Sequence, residues 1–199
     1  MSSIGLYDVE KVSKQIRDGR VGVLPTDTLY GLVCDAKNIA AVKRLYSLKN
    51  RDKKPGTVIA SSVEQLVELG LKQRYLKPVA QYWPGPISVV IPCVFELPYL
   101  HMGVGSLAVR VVGDEKLRKL VEATGPLLTT SANKPGKPES TNIAMALNYF
   151  GDSADFYIDG GDYSNRLPST VIRVVDDMVE VLRLGAVKIN DKGELSNDI

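Results

Sequence analysis

The sequence predicts an α/β or α+β sheet domain of mixed strand direction, and three observations carry that reading. β-branched apolar runs alternate with stretches of helical periodicity, and neither a repeat nor a long linker interrupts the alternation. Near the end, "STVIRVVDDMVEVLRL" sets two β-branched runs about Asp176 and Asp177, a hairpin that brings antiparallel pairing into the sheet. At 199 residues and 44% hydrophobic content, the chain can bury one full core.

Taken in order, Asp8 caps a helix that places Val9, Val12 and Ile16 on one face, and Gly19 stops it. "RVGVLP" reads as a buried strand. "NIAAVKRLYSLK" is helical, with Ile39, Val42, Leu45 and Tyr46 on the core stripe, and "TVIA" is the next strand. Ser62 and Gln65 fit a capping box. A helix over 72–83 runs into "WPGP", whose prolines end it before the strand "ISVVIP". "LAVRVV" is strand-like, "DEKLRKLVEATG" is a capped helix ending at Gly125, and "PLLTT" is a short strand. Residues 190–199 are polar and are expected to fray as a tail.

Composition narrows the function classes. Lys+Arg of 25 against Asp+Glu of 23 gives a net charge of +2, so bulk charge does not supply nucleic-acid affinity and any anion site is local. Cys34 and Cys93 form neither a CxxC pair nor a zinc set, which points to a reducing, cytoplasmic setting. The opening "MSSIGLYDVEKV" lacks a leader pattern, and no apolar run approaches the roughly 18 residues of a membrane span. The expectation is a soluble, unprocessed protein.

Three stretches can carry chemistry. "LPTDTLYGL" is a strand running into a loop with Thr26 and Thr28, a place where sheets present ligand-binding backbone, although the same hydroxyls suit an ordinary turn. In "SLKNRDKK", Val42, Tyr46 and Lys49 fall at i, i+4 and i+7, so Lys49 continues the inward stripe; with Arg51 it supplies two donors suited to a polyanion such as a triphosphate. An isolated lysine at a helix end also snorkels harmlessly. "TTSANKPGKP" ends a strand with Ser131 and Asn133, small groups that admit close approach of a nucleotide or simply form a turn. Arg110, Arg173 and Arg183 lie in strand-like runs, and alternation does not decide whether Arg110 points inward. The single histidine, His101, has no placed nucleophile beside it and reads as structural. Neither GxxxxGK[ST] nor GxGxxG occurs.

Taken together and in order, "LPTDTLYGL", "LKNR", "YWPGP", "LAVRV", "TTSAN" and "STVIRV" resemble the Sua5/YrdC/TsaC family of threonylcarbamoyl-AMP synthases, from about residue 6 to about residue 187. The family's K-x-R and S-x-N signature matches Lys49, Arg51, Ser131 and Asn133. The resemblance implies a YrdC-like domain over 1–189, followed by the 190–199 tail, of the short single-domain type: a twisted mixed sheet flanked by helices, with an electropositive groove. It implies ATP, L-threonine and bicarbonate as substrates, with Mg²⁺ accompanying ATP. Thr26, Thr28, Arg110, Thr129 and Ser169 would surround L-threonine, Thr129 through its backbone. Lys49, Arg51, Ser106, Ser131, Asn133 and Arg183 would surround the nucleotide, with Lys49 and Arg51 catalytic. Departures from the family pattern fall at Asp52, Ala60, Glu139 and Leu184; an acidic Glu139 beside a nucleotide is unfavourable.

The implied product feeds t6A formation at position 37 of tRNA through a separate threonylcarbamoyl-transferase complex. Three other readings stay open at this point. The groove can hold double-stranded RNA or tRNA without catalysis; the domain can form a carbamoyl adenylate like that of hydrogenase maturation proteins, which are much longer chains; or it can be an inactive YciO-type paralogue.

Overall fold

The computed structural model describes residues 8–50, 53–176, 178–190 and 193–196. Side-chain caps start the longer helices, each by offering an oxygen to a backbone N–H that the first turn leaves unpaired. Asp8 caps α1 (Val9–Arg17) and Asn38 caps α2 (Ile39–Leu48). Ser62 caps α3 (Val63–Glu68). After the single turns α4 (Gln73–Leu76) and α5 (Pro98–His101), Asp114 caps α6 (Glu115–Thr124) and Asn142 caps α7 (Ile143–Phe150).

Several helical expectations need correction. The capping box is half formed: Gln65 N donates to Ser62 Oγ, but Gln65 Oε1 accepts from Ser61 rather than from Ser62. The expected helix over 72–83 is α4 followed by a 3-10 turn, Lys77–Tyr82, because Pro78 has no N–H to continue an α-helical ladder. Ile39 is half exposed, since it stands at the solvent end of α2, and Ala41 joins Val42, Leu45 and Tyr46 on the buried stripe.

The strands are β1 (Gly22–Pro25), β2 (Tyr30–Asp35), β3 (Thr57–Ala60), β4 (Ile87–Pro92), β5 (Ser106–Val111), β6 (Leu127–Ser131), β7 (Phe156–Tyr157), β8 (Thr170–Val175), β9 (Met178–Arg183), β10 (Lys188–Ile189) and β11 (Leu195–Ser196). Among the described residues, nine of them form one sheet in the order β7-β1-β2-β6-β3-β5-β4-β8-β9. Pairing is parallel at β7–β1, β3–β5 and β4–β8 and antiparallel elsewhere. Mixed direction is therefore spread through the sheet rather than confined to the β8–β9 hairpin. That hairpin turns at Asp176, with φ of 50°, while Asp177 lies outside the described residues. The separate pair β10–β11 spans the expected start of the tail, and Tyr82 Oη donates to Gly193 O from the body of the domain.

Alternation along the strands divides the core between the two faces of the sheet. On one face Leu32, Cys34, Val58, Val109 and Leu128 pack with Val42 and Leu45 of α2, Leu66, Leu76 and Phe150. On the other, Leu24, Val33, Ile59 and Leu127 pack with Val12 and Ile16 of α1 and Leu117, Leu120 and Val121 of α6. The second face is only partly covered. Two residues along the same strands, Gly31, Thr57 and Thr129 replace Val33, Ile59 and Leu127, and there the face opens into a cavity.

Candidate functional site

The cavity measures about 340 Å³ and lies on the open part of that face. Its floor is built by strand alternation: Ser106, Ala108 and Arg110 from β5, Val90 from β4, Val171 from β8 and Thr129 and Ser131 from β6. The tight β1–β2 turn supplies one wall. Thr26 N and Oγ1 both donate to Leu29 O, and Thr28 N donates to Thr26 Oγ1. Both turn-forming and cavity-lining roles are thus realised in Thr26 and Thr28, which stand 3.1 Å apart through their hydroxyls. The turn is tighter than the sequence suggests, because Tyr30–Leu32 already belong to β2. A side chain at Gly31 would put its Cβ 2.5 Å from Thr129 Oγ1, so glycine there leaves the floor open.

Lys49 terminates α2 and is buried at 2% exposure. Its Nζ donates to Ser131 O at 2.8 Å, to Asn133 Oδ1 at 2.7 Å and to Asn133 O. Ser131 Oγ donates to the same Asn133 Oδ1 at 2.7 Å, while Asn133 Nδ2 donates to Lys137 O. The two stretches that sequence spacing leaves separate are joined here in one hydrogen-bonded unit. Ser131 lines the cavity; Lys49 and Asn133 stand behind it. Arg51 and Asp52 lie outside the described residues.

Arg110 points inward, which strand alternation alone does not decide. Its NH2 donates to Asp27 Oδ1 at 2.7 Å, its NH1 reaches Ser88 Oγ at 3.4 Å, and its Nε is buried without a partner among the described residues. Ser88 Oγ stands 3.0 Å from Ser169 Oγ. Arg183 extends this chain, donating from Nε and NH2 to Ser169 O and from NH2 to Ser169 Oγ. Burial pushes the Arg183 guanidinium below its ordinary value; the Glu139 carboxylate opposes that shift and Arg110 adds to it. Glu139 is half-buried on the cavity wall, so an acid does face this end of the cavity.

Thr129 stands in register with Val33 on β2 and Thr57 on β3, so its backbone belongs to the sheet and its hydroxyl, beside Gly31, is the group on the cavity side. Sequence reasoning misses Asp27 and Ser88. Ser88 carries a signal, being the only hydroxyl in "ISVVIP": a polar side chain in a fully apolar strand needs a buried partner. It misses Tyr30 as well. Tyr30 Oη accepts from Gly160 N and donates to Gly161 O, holding the segment that delivers Pro168 and Ser169 to the cavity. Burial pushes the Tyr30 phenol up to about 12, the Gly160 N–H opposing and Asp159 adding, so it stays a donor at neutral pH.

No activated nucleophile appears among the described residues. Burial pushes the Cys34 thiol up and the Cys93 thiol up to about 11, which leaves neither as a thiolate at neutral pH. His101 accepts from Gly105 N through Nδ1 and lies outside the cavity lining. Among the described residues no group of three or more His, Cys, Asp or Glu side chains can hold a metal, and no helix is long and apolar enough to cross a membrane. Two guanidiniums, a lysine-braced wall and several hydroxyls suit binding and orienting anions.

Fold and site thus define a mixed-sheet α/β domain with a polar, arginine-lined cavity on one half-open face. Solved structures share the fold. Sua5 of P. abyssi complexed with L-threonine matches with a TM-score of 0.80 at 30% identity, over 91% of this chain and 55% of that one. E. coli YciO matches in fold with a TM-score of 0.75 at 24% identity, over 89% and 88%. The Sua5/YciO/YrdC family model, described as telomere recombination, matches residues 14–185, and the chain belongs to that family. Similar curated relatives include threonylcarbamoyl-AMP synthases of Pseudomonas aeruginosa, 34% identical over 88% of this chain and 97% of that protein, and of Marinobacter nauticus, 37% identical over 87% and 95%.

Proposed function

We propose that this chain is an L-threonylcarbamoyladenylate synthase, a nucleotidyltransferase that makes threonylcarbamoyl-AMP, pyrophosphate and water from ATP, L-threonine and bicarbonate. The observation that carries the reading is two cationic groups on one cavity: Arg110 and Arg183, joined through Ser88 and Ser169, and, across the floor at β6, the Lys49-braced wall of Ser131 and Asn133. The relatives named threonylcarbamoyl-AMP synthase and the Sua5 structure complexed with L-threonine support it.

The chemistry needs no protein nucleophile. Threonine's amine attacks bicarbonate carbon and water leaves; an oxygen of the resulting N-carboxylate attacks the α-phosphorus of ATP, the bond to the β-phosphate bridging oxygen breaks, and pyrophosphate departs. Alignment and charge stabilisation suffice for such a displacement. Arg110 takes the threonine carboxylate, with Thr26, Thr28, Thr129 and Ser169 around the amino acid. Lys49, Arg51, Ser106, Ser131, Asn133 and Arg183 serve the nucleotide. Mg²⁺ enters on the triphosphate as part of the substrate; Glu139 is the sole carboxylate among the described lining residues, too few acids for a protein-built site. The product serves t6A37 formation in tRNA by a separate transferase complex, in the cytoplasm.

Incubation with ATP, bicarbonate and isotopically labelled threonine, followed by mass spectrometry, tests the reading. Labelled threonylcarbamoyl-AMP appearing with pyrophosphate is the expected result. Absence of both, with salt-sensitive retention of tRNA, would overturn it in favour of a binding module.

A further inference from the structure

The two arginines of the cavity differ in what offsets their charge. Arg110 is paired with Asp27 at 2.7 Å, and both side chains are withdrawn from water, at 4% and 6% exposure. Asp27 Oδ2 also faces Gly113 N at 3.4 Å, which ties the carboxylate to the loop after β5. Asp27 is not part of the cavity lining, whereas Arg110 is. Arg183 forms no contact salt bridge among the described residues: its hydrogen-bond partners are the neutral carbonyl and hydroxyl of Ser169, and the Glu139 carboxylate acts on it through space.

A buried pair of opposite charges is nearly neutral seen from a few ångströms away, so its long-range pull on an anion is weak. It still presents the guanidinium's remaining donors in a fixed plane, and the Arg110 Nε, buried and unpartnered, is one of them. A guanidinium with no carboxylate in contact does the reverse, attracting the more highly charged ligand. The same cavity thus holds one guanidinium tuned to geometry and one tuned to charge.

We propose that Asp27 is a positioning and specificity-determining residue: by orienting Arg110 and offsetting its charge, it reserves that arginine for a singly charged carboxylate and leaves polyphosphate to Arg183. The inference rests on the proposed function for the identity of the carboxylate, L-threonine. The charge argument stands apart from it. Asp27 acts through Arg110 and is assigned no contact with substrate.

Calorimetric titration of the purified full chain with L-threonine and, separately, with inorganic tripolyphosphate tests this. Asp27→Asn is expected to weaken threonine binding about tenfold and to tighten tripolyphosphate at least about threefold, with threonine now competing against tripolyphosphate. The double variant Asp27→Asn/Arg110→Gln removes the pair as a neutral unit. It is expected to lose threonine binding yet hold tripolyphosphate within about threefold of the parent. Unchanged affinities in folded Asp27→Asn, or equal weakening of both ligands, would overturn the proposal. So would a tenfold loss of tripolyphosphate in the double variant, which decides the matter if the single variant does not fold. A parent protein that binds tripolyphosphate but not threonine overturns the threonine reading instead, and the tripolyphosphate arm still decides the role of Asp27.

Discussion

The two halves of one sheet face make an instructive contrast. Toward one end, β2, β3 and β6 contribute Val33, Ile59 and Leu127, and α1 and α6 close over them. Two residues along, the same strands contribute Gly31, Thr57 and Thr129, and nothing apolar is offered for a helix to cover. Period-2 alternation puts both sets on one face; a change from branched aliphatic to small or hydroxylated side chains divides it into core and cavity. Stability is concentrated in the first half and, on the proposed function, binding in the second, so substitutions should separate the two properties.

The largest expected effect lies in the covered half. Leu117→Ala empties a fully buried site between α6 and the sheet and should lower unfolding free energy by about 2–5 kcal/mol in denaturant titration, while kcat/KM below the melting temperature stays at the parent value. A comparable loss of kcat/KM would mean the halves are not separable. Lys49→Ala probes the boundary. Adenylate formation, followed by pyrophosphate release, should fall at least about tenfold, or about 1.4 kcal/mol. The melting temperature should fall too, because three oxygens of Ser131 and Asn133 lose a buried donor. Arg51→Ala should match the loss of rate.

Smaller effects sharpen the contrast further. Gly31→Ala introduces a Cβ within 2.5 Å of Thr129 Oγ1 and should raise the KM for threonine by an amount corresponding to about 1 kcal/mol, with little change for ATP. The smallest lies outside both halves, at the bidentate Arg44–Asp155 pair. Burial raises the Asp155 carboxyl, but the Arg44 hydrogen bond, Val21 N–H and nearby charges outweigh it, and the net shift is downward. A depressed carboxyl stabilises the fold above its unfolded pKa and loses that contribution as pH falls through the folded one. With Arg44 42% exposed, Arg44→Ala should cost no more than about 1 kcal/mol at pH 7, and its melting curve should converge on the parent's as pH drops below about 4.

Much of the covered half was legible in the sequence because periodicity and capping are local. The Asp8 and Asp114 caps and the strand "TVIA" each rest on residues within a few positions of one another, as does the β8–β9 hairpin at the far edge of the sheet. α7 carried a readable signal as well, an Asn142 cap ahead of Ala146 and Phe150 at i and i+4, but its apolar residues surround the helix and blur the stripe. The open half was legible only in part. Helical counting put Lys49 inward, yet its partners lie more than eighty positions away and no spacing rule names them. Asp27 was hidden by its setting: an aspartate in a turn is expected to bond its own backbone, and only the crossing of β5 near the β1–β2 turn gives it Arg110.

Lys49 ends on a question of valence. An ammonium has three protons, and Ser131 O, Asn133 O and Asn133 Oδ1 engage it together. An anion that reaches this nitrogen does so by exchange, displacing an amide oxygen rather than filling an idle position. A neutral oxygen gains nothing in such a swap, whereas a phosphate oxygen adds the attraction of two opposite charges to the bond it replaces. On the proposed function, the wall behind the cavity would thereby sort its ligands by charge before any of them is held.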